Sequence, residues 1–226
     1  MTDVLNRLLD TAFGHPKGLL GRIGGRLMAR GNAETEHQLV RLAKLGERDT
    51  VLAVGPGPGI GLRAAAERAG AVIGVDPSET MLAAAREQCR DYVDAGLVEL
   101  RLGTAESTGL TAASVDVVLS VNNVQIWTDR AAGLAELFRV LRPGGRLLIS
   151  AHERWLPVTK EVLADEARAA GFTGVQAWAW EPGGRTPVAA QLSAERPPRP
   201  DESRASAREP ADPNEHADGN EHADRR

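Results

Sequence analysis

Gly55, Gly57 and Gly59 alternate with Pro56 and Pro58 where a short apolar run, TVLAV, hands over to an alanine-rich one. This is the part of the sequence best suited to holding a ligand. Glycine lets the backbone turn tightly and lets a ligand approach without an intervening side chain, and the amides opening the next helix can receive a carboxylate or phosphate. The two prolines each fix a φ angle and delete an N–H, so the loop is stiff but poor in the donors of a phosphate cradle, and it lacks the lysine and hydroxyl of a Walker loop. A dinucleotide fingerprint would need its third glycine at position 60, where Ile60 stands. Asp76 ends the next apolar run about twenty residues on, where a carboxylate can accept both hydroxyls of a ribose. Thr104, Ala105 and Glu106 follow the third run; Asn122, Asn123, Gln125 and Trp127 follow the fourth; His152, Glu153 and Trp155 follow the fifth. His152 is a residue type that can act as a general base, or it is a hydrogen-bonded loop histidine; the tryptophans can wall an apolar acceptor or pack beneath a loop.

These residues meet only if five strands lie side by side with their C-terminal ends on one rim. The runs TVLAV, AVIGV, LVEL, VDVVLS and RLLIS read as strands, and the first, second and fifth are nearly free of polar alternation, as in a parallel sheet covered on both faces. Between them lie the helical patterns GLRAAAERAG, SETMLAAAREQCRDYVDAG and DRAAGLAELFRVLRPGG; the last places Leu134, Leu137, Phe138 and Leu141 on one face. Right-handed crossovers stack such units into a doubly wound sheet. After the fifth strand come a helix, VTKEVLADEARAAG, and the runs GVQAWAW and TPVAAQL around the turn EPGGR, which predicts an antiparallel hairpin at the sheet's end. The fold class is α/β, with a mostly parallel seven-stranded sheet.

Residues 49–194 form the predicted core domain. Residues 1–48, with the helix AETEHQLVRLAKLG, form an N-terminal helical segment assigned as a lid, because the HERWLP loop after the fifth strand is too short to hold one. Arg22, Arg26 and Arg30 are spaced four apart, a solvated basic face or one that meets an anionic acceptor or a membrane surface. Residues 195–226 are rich in Pro and charge, have no aromatic residue and repeat NEHAD twice, which predicts a disordered tail. A net charge of -4 argues against nucleic acid as a partner, and no apolar run approaches the ~20 residues of a membrane helix, so the expected location is the cytoplasm. Cys89 has no partner for a disulfide or a structural zinc site and reads as a small half-buried apolar residue; no metal site is expected.

Taken in order, these motifs resemble the class I S-adenosylmethionine-dependent methyltransferases, in particular the small-molecule branch that includes quinone C-methyltransferases, over roughly Thr50 to Leu192. The resemblance implies a Rossmann-like methyltransferase fold, S-adenosyl-L-methionine as cofactor, and methyl transfer by in-line displacement to a small organic acceptor. Carried over, Val54, Gly55, Pro56 and Gly57 would border the methionine part of the cofactor, Asp76 would bind the ribose, and Pro77 and Met81 would flank adenine. The Ala105 amide and Thr104 would read the adenine edge, Glu106 and Asn122 complete the cofactor-binding set, and His152, Asn123 and Gln125 would be the catalytic candidates. Two positions depart from the family pattern: Ala53 stands where an acidic residue is usual, and Thr104 where aspartate is usual. Those departures motivate the alternative of a cofactor-binding protein with a degenerate, non-catalytic site. A nicotinamide-dependent oxidoreductase is opposed by the glycine spacing and the hairpin, and a nucleic-acid methyltransferase by NNVQ in place of an N-P-P-aromatic tetrad.

Overall fold

A computed structural model of the chain describes residues 33–182 and 186–199. The basic face at Arg22, Arg26 and Arg30 and most of the predicted tail lie outside the described residues. Helix α1 covers 33–43. It is followed by β1 (Thr50–Val54), α2 (Ile60–Ala66), β2 (Ala71–Asp76), α3 (Glu79–Gln88), α4 (Arg90–Asp94), β3 (Val98–Leu102), β4 (Val115–Val121), α5 (Arg130–Val140), β5 (Leu141–His152), α6 (Lys160–Ala169), β6 (Thr173–Trp180) and β7 (Ala189–Glu195). The seven strands form one sheet in the order β3-β2-β1-β4-β5-β7-β6. β1 to β5 run parallel, and β7 is antiparallel to both β5 and β6. The order reverses at β1 and β4, so the crevice beyond their C-terminal ends is the switch point where ligands bind in open α/β sheets.

The apolar strands are buried on both faces, as their lack of alternation predicts. Leu52 and Val54 of β1 join Val118, Leu134, Leu137, Ile149 and Leu163 under α5 and α6. Val51 and Ala53 point the other way, to Leu39, Val40, Leu62, Ala65 and Ala85 under α1, α2 and α3. Each fully buried leucine contributes roughly 1.5 to 3 kcal/mol through the area it removes from water. Helix α1 therefore packs on the sheet, with Leu39 and Ala43 almost wholly buried.

Three elements differ from the sequence reading. The helix expected to carry Leu141 ends at Val140, and Leu141 already pairs with Val115 as the first residue of β5. The helix expected from Ser78 to Gly96 breaks at Cys89 (φ −112, ψ 22). Arg63 takes the carbonyl of Gln88 (3.0 Å) and also grips Asp91 (2.7 and 2.9 Å), so the intrahelical ladder is interrupted there by a tertiary contact. At the chain's far end, β7 continues through Glu195, and Arg196 exchanges two backbone hydrogen bonds with Gly144 and Gly145. Its guanidinium donates to the carbonyls of Phe138, Arg139 and Leu141, closing the C-terminus of α5, and lies 4.8 Å from the Phe138 ring centroid. Ordered structure thus extends two residues into the segment assigned to the tail. Arg196→Ala should cost about 1 to 2 kcal/mol of unfolding free energy, read by urea denaturation, because carbonyls at a helix end lose their donor.

Candidate active site

The glycine loop is held from three sides. Gly55 donates its amide to Val75 of β2 (2.8 Å), and Gly59 donates to Pro56 (3.0 Å) to close the turn. Gly55 has φ +61, and a Cβ there would stand 2.1 Å from Asn123 Nδ2, so the asparagine packs directly on the glycine. Gly57 has φ +52, but no atom of the described residues lies within 4 Å of an added Cβ. The loop therefore opens at Gly57 and is closed at Gly55. Cys89, buried beneath the loop, directs its thiol to the Gly59 carbonyl (3.6 Å), and burial pushes that thiol up to about 11, the behaviour of a packing residue and not of a nucleophile.

Asp76 is 5% exposed at the end of β2. Its Oδ1 accepts from the Ser78 amide (2.9 Å) and its Oδ2 from the Gly57 amide (3.3 Å), which ties the acid to the loop and to the start of α3. Burial raises its pKa to about 6, and the two amides pull against that rise. Each oxygen retains a lone pair for a further donor. Pro77 is exposed beside it, and Met81 is half-buried on the first turn of α3, where its amide is capped by Ser78 Oγ (3.3 Å).

The loop after β3 reaches the same rim, since Gly103 donates to the Asp76 carbonyl (3.2 Å). Thr104 and Ser107 close a small turn on each other's backbone, and Ala105 is buried in the core. Glu106 accepts from the amides of Thr128 and Asp129 (2.8 and 3.1 Å), strapping this loop to the start of α5. Burial would raise its pKa, but the amides of Asp129, Glu106 and Thr128 and the Thr104 hydroxyl together hold it below the usual carboxylate value. The Glu106 carboxylate and the Thr104 hydroxyl therefore already have protein partners.

Asn122 directly follows strand β4, and its φ of +48 turns the chain sharply. Its Oδ1 accepts from the His152 amide (2.9 Å), and its backbone carbonyl accepts from Gln125 Nε2 (2.8 Å). Asn123 Oδ1 accepts from the Trp127 indole (2.5 Å). Trp127 also lies on Gly133 of α5, where a Cβ would come 2.7 Å from its ring, so it is a packing residue that anchors Asn123 over Gly55. The sequence pattern puts His152 in a loop; it is instead the last residue of β5, 2% exposed and paired in register with Ala189. Its ring centroid is 5.0 Å from that of Trp155, with Arg154 over the Trp155 ring. Burial, with Arg154 nearby, lowers its pKa, so the imidazole is neutral at pH 7.

Asn122 Nδ2, Gln125 Oε1 and both ring nitrogens of His152 are buried with no hydrogen-bond partner among the described residues. Buried polar atoms are rarely left so, and these four lie on three residues close together, just beyond β4 and at the end of β5. Asp76 Oδ2 and the Gly57 amide lie on the same rim, 3.3 Å apart.

One buried carboxylate close to the glycine loop escaped the sequence reading. Glu36 of α1 is 8% exposed and accepts from the Gly61 amide at the start of α2. With Leu39, Val40, Ala53, Gly55 and Pro56 it lines a cavity of about 30 Å³ behind the glycine loop. Burial raises its pKa to about 7, against the pull of the Gly61 amide.

Fold and strand order together define a doubly wound α/β domain whose sheet ends in an antiparallel hairpin. Residues 52–149 match the family described as a methyltransferase domain. The chain is 32% identical over 163 residues to the uncharacterized methyltransferase YdaC of Bacillus subtilis, covering 68% of this chain and 87% of that one. It is 37% identical over 82 residues to the ubiquinone/menaquinone biosynthesis C-methyltransferase UbiE of Geobacter sulfurreducens, covering 35% of this chain but only 31% of the relative. Among solved structures, a Haemonchus contortus phosphoethanolamine N-methyltransferase bound to phosphomonomethylethanolamine and S-adenosylhomocysteine superposes with a TM-score of 0.67 at 19% identity, over 86% of this chain and 60% of that one. The chain belongs to the class I S-adenosylmethionine-dependent methyltransferases.

Proposed function

We propose that this methyltransferase acts on a small organic acceptor held between the ends of β4 and β5. The observation that carries this reading is the set of unpartnered buried atoms on Asn122, Gln125 and His152, too enclosed for a macromolecular surface and suited to a few polar groups. When bound, S-adenosylmethionine supplies an electrophilic methyl group whose sulfur departs as a neutral thioether. Val54, Gly55, Pro56 and Gly57 would border its methionine part, Asp76 would accept the ribose hydroxyls, and Pro77 and Met81 would flank the adenine. Because the Thr104 hydroxyl and the Glu106 carboxylate are engaged within the protein, the backbone of this turn, Ala105 included, is what remains to read the adenine edge. Asn122 and Gln125 would orient the acceptor, Asn123 would hold the loop against it, and neutral His152 would take a proton from an acceptor that must lose one.

The binding half is tested by calorimetric titration with S-adenosylhomocysteine, with NADH as control: one-to-one micromolar binding of the first alone supports it, and silence at millimolar concentration refutes it. The acceptor half is tested with His152→Ala on a panel of phenolic, amine and activated-carbon acceptors. Turnover of proton-losing acceptors should fall ~10² to 10⁴-fold while affinity for S-adenosylhomocysteine changes little. Equal losses in both would make His152 a packing residue. We place the protein in the cytoplasm; among the described residues no helix is long and apolar enough to cross a membrane.

A further inference from the structure

The Glu36 carboxylate stands behind the glycine loop with one hydrogen-bond partner among the described residues, the Gly61 amide. A carboxylate removed from water is costly to ionise unless a cation answers it. Among the described residues no cation of the protein does so. On α1 itself Glu34 is occupied by the Thr186 hydroxyl (2.5 Å), and His37 is exposed. On α2, Arg63 is turned to Asp91 at 2.7 Å. β1 and the adjoining end of β4 present only Ala53, Val54, Leu119 and Val121 to the cavity, and Asp76 is tied to Gly57 and Ser78. The same cavity is bounded by Gly55 and Pro56, so the acid and the loop share a wall. Ala53 lies on this wall too, and its methyl carries no charge.

We propose that Glu36 is a cofactor-binding residue, a carboxylate delivered by α1 that answers the positive ammonium of the methionine end, in place of an acid on β1. This rests on the reading of the glycine loop as the border of that end. Binding a cation beside Glu36 favours its ionised form, so the complex should release protons where the free acid is still partly protonated, and affinity should rise with pH through about 7.

The test is calorimetry with S-adenosylhomocysteine on the wild type and on Glu36→Gln, which keeps an oxygen for the Gly61 amide and removes only the charge. At pH 8 the variant should bind about tenfold or more weakly, and at pH 5.5 the two should agree within about twofold. At pH 7 the wild type, titrated in two buffers of different ionisation enthalpy, should release up to about half a proton, and the variant less. Equal affinities at pH 8 overturn the proposal. The proton count needs no variant, and a wild type that binds without releasing protons at pH 7 also overturns it. Failure of the wild type to bind at any pH would instead remove the cofactor reading of the loop, and this proposal with it.

Discussion

Gly55→Ala is expected to lower affinity for S-adenosylhomocysteine at least ~100-fold and to destabilise the protein by about 2 to 4 kcal/mol. Two costs combine. The residue sits at φ +61, in the left-handed region where a side chain costs roughly 1 to 2 kcal/mol. Its new methyl would also stand 2.1 Å from Asn123 Nδ2, which has to move and cannot move alone, because its Oδ1 holds the Trp127 indole at 2.5 Å and that ring is seated on Gly133. Gly57→Ala separates the contributions. It shares the left-handed φ (+52) but meets no atom of the described residues within 4 Å, so its stability loss should be confined to the backbone strain while the added methyl intrudes on the open side of the loop. Urea denaturation and calorimetry on the two variants check this; wild-type stability in the Gly55→Ala variant would mean that the contact with Asn123 is not maintained in solution.

The second large effect falls on Asp76, and it has opposite signs for binding and for stability. On the proposed reading, Asp76→Asn should weaken binding of S-adenosylhomocysteine on the order of 100-fold, since charged acceptors of the ribose hydroxyls give way to a neutral amide. Without ligand the comparison reverses as pH rises. The folded pKa is raised to about 6 from 3.8, so the native protein holds this proton more tightly than the unfolded chain does. That contribution is complete below about pH 4 and is lost as pH climbs through about 6, a change of about 3 kcal/mol that asparagine does not undergo. The unfolding free energy of the wild type relative to Asp76→Asn should therefore fall by about that amount between pH 4 and pH 7. A constant gap across that range would show that Asp76 is hydrated in the free protein.

How much of this is legible in the sequence divides along physical lines. Strands such as VLAV and LLIS are apolar on both faces because helices cover both, and periodicity alone finds them. The hairpin is visible because its turn chemistry is local. The interruption at Cys89 is not, because it is caused by Arg63, 26 residues away in the chain and on another helix. His152 reads as a loop residue because β5 runs on past the obvious apolar stretch, and only its pairing with β7 shows that it is buried. Arg196 looks like the start of a charged tail, and among the described residues its side chain donates to backbone carbonyls, which carry no sequence signal. Glu36 is a residue that pattern could have found. It lies in the stripe of Leu39, Val40 and Ala43 on one helical face, and an acid on a buried stripe asks for a partner, yet acids in a helix's first turn read equally well as companions of its dipole.

The place of β5 in the sheet has a consequence for how the chain is made. β5 is paired with β4 on one side and, from Arg146 to His152, with β7 on the other, yet β7 is the last strand of the sheet in sequence order. During synthesis the ribosome releases the loops of the proposed cofactor pocket well before the strand that finishes the sheet. Until Glu195 emerges, the apolar segment Leu147–Ala151 offers a bare row of amides and carbonyls, the kind of template that recruits other chains. A nascent chain stalled between α6 and β7 would thus have most of its methyltransferase machinery and still be prone to aggregate, and rescue would come from the final hairpin, which seals the edge.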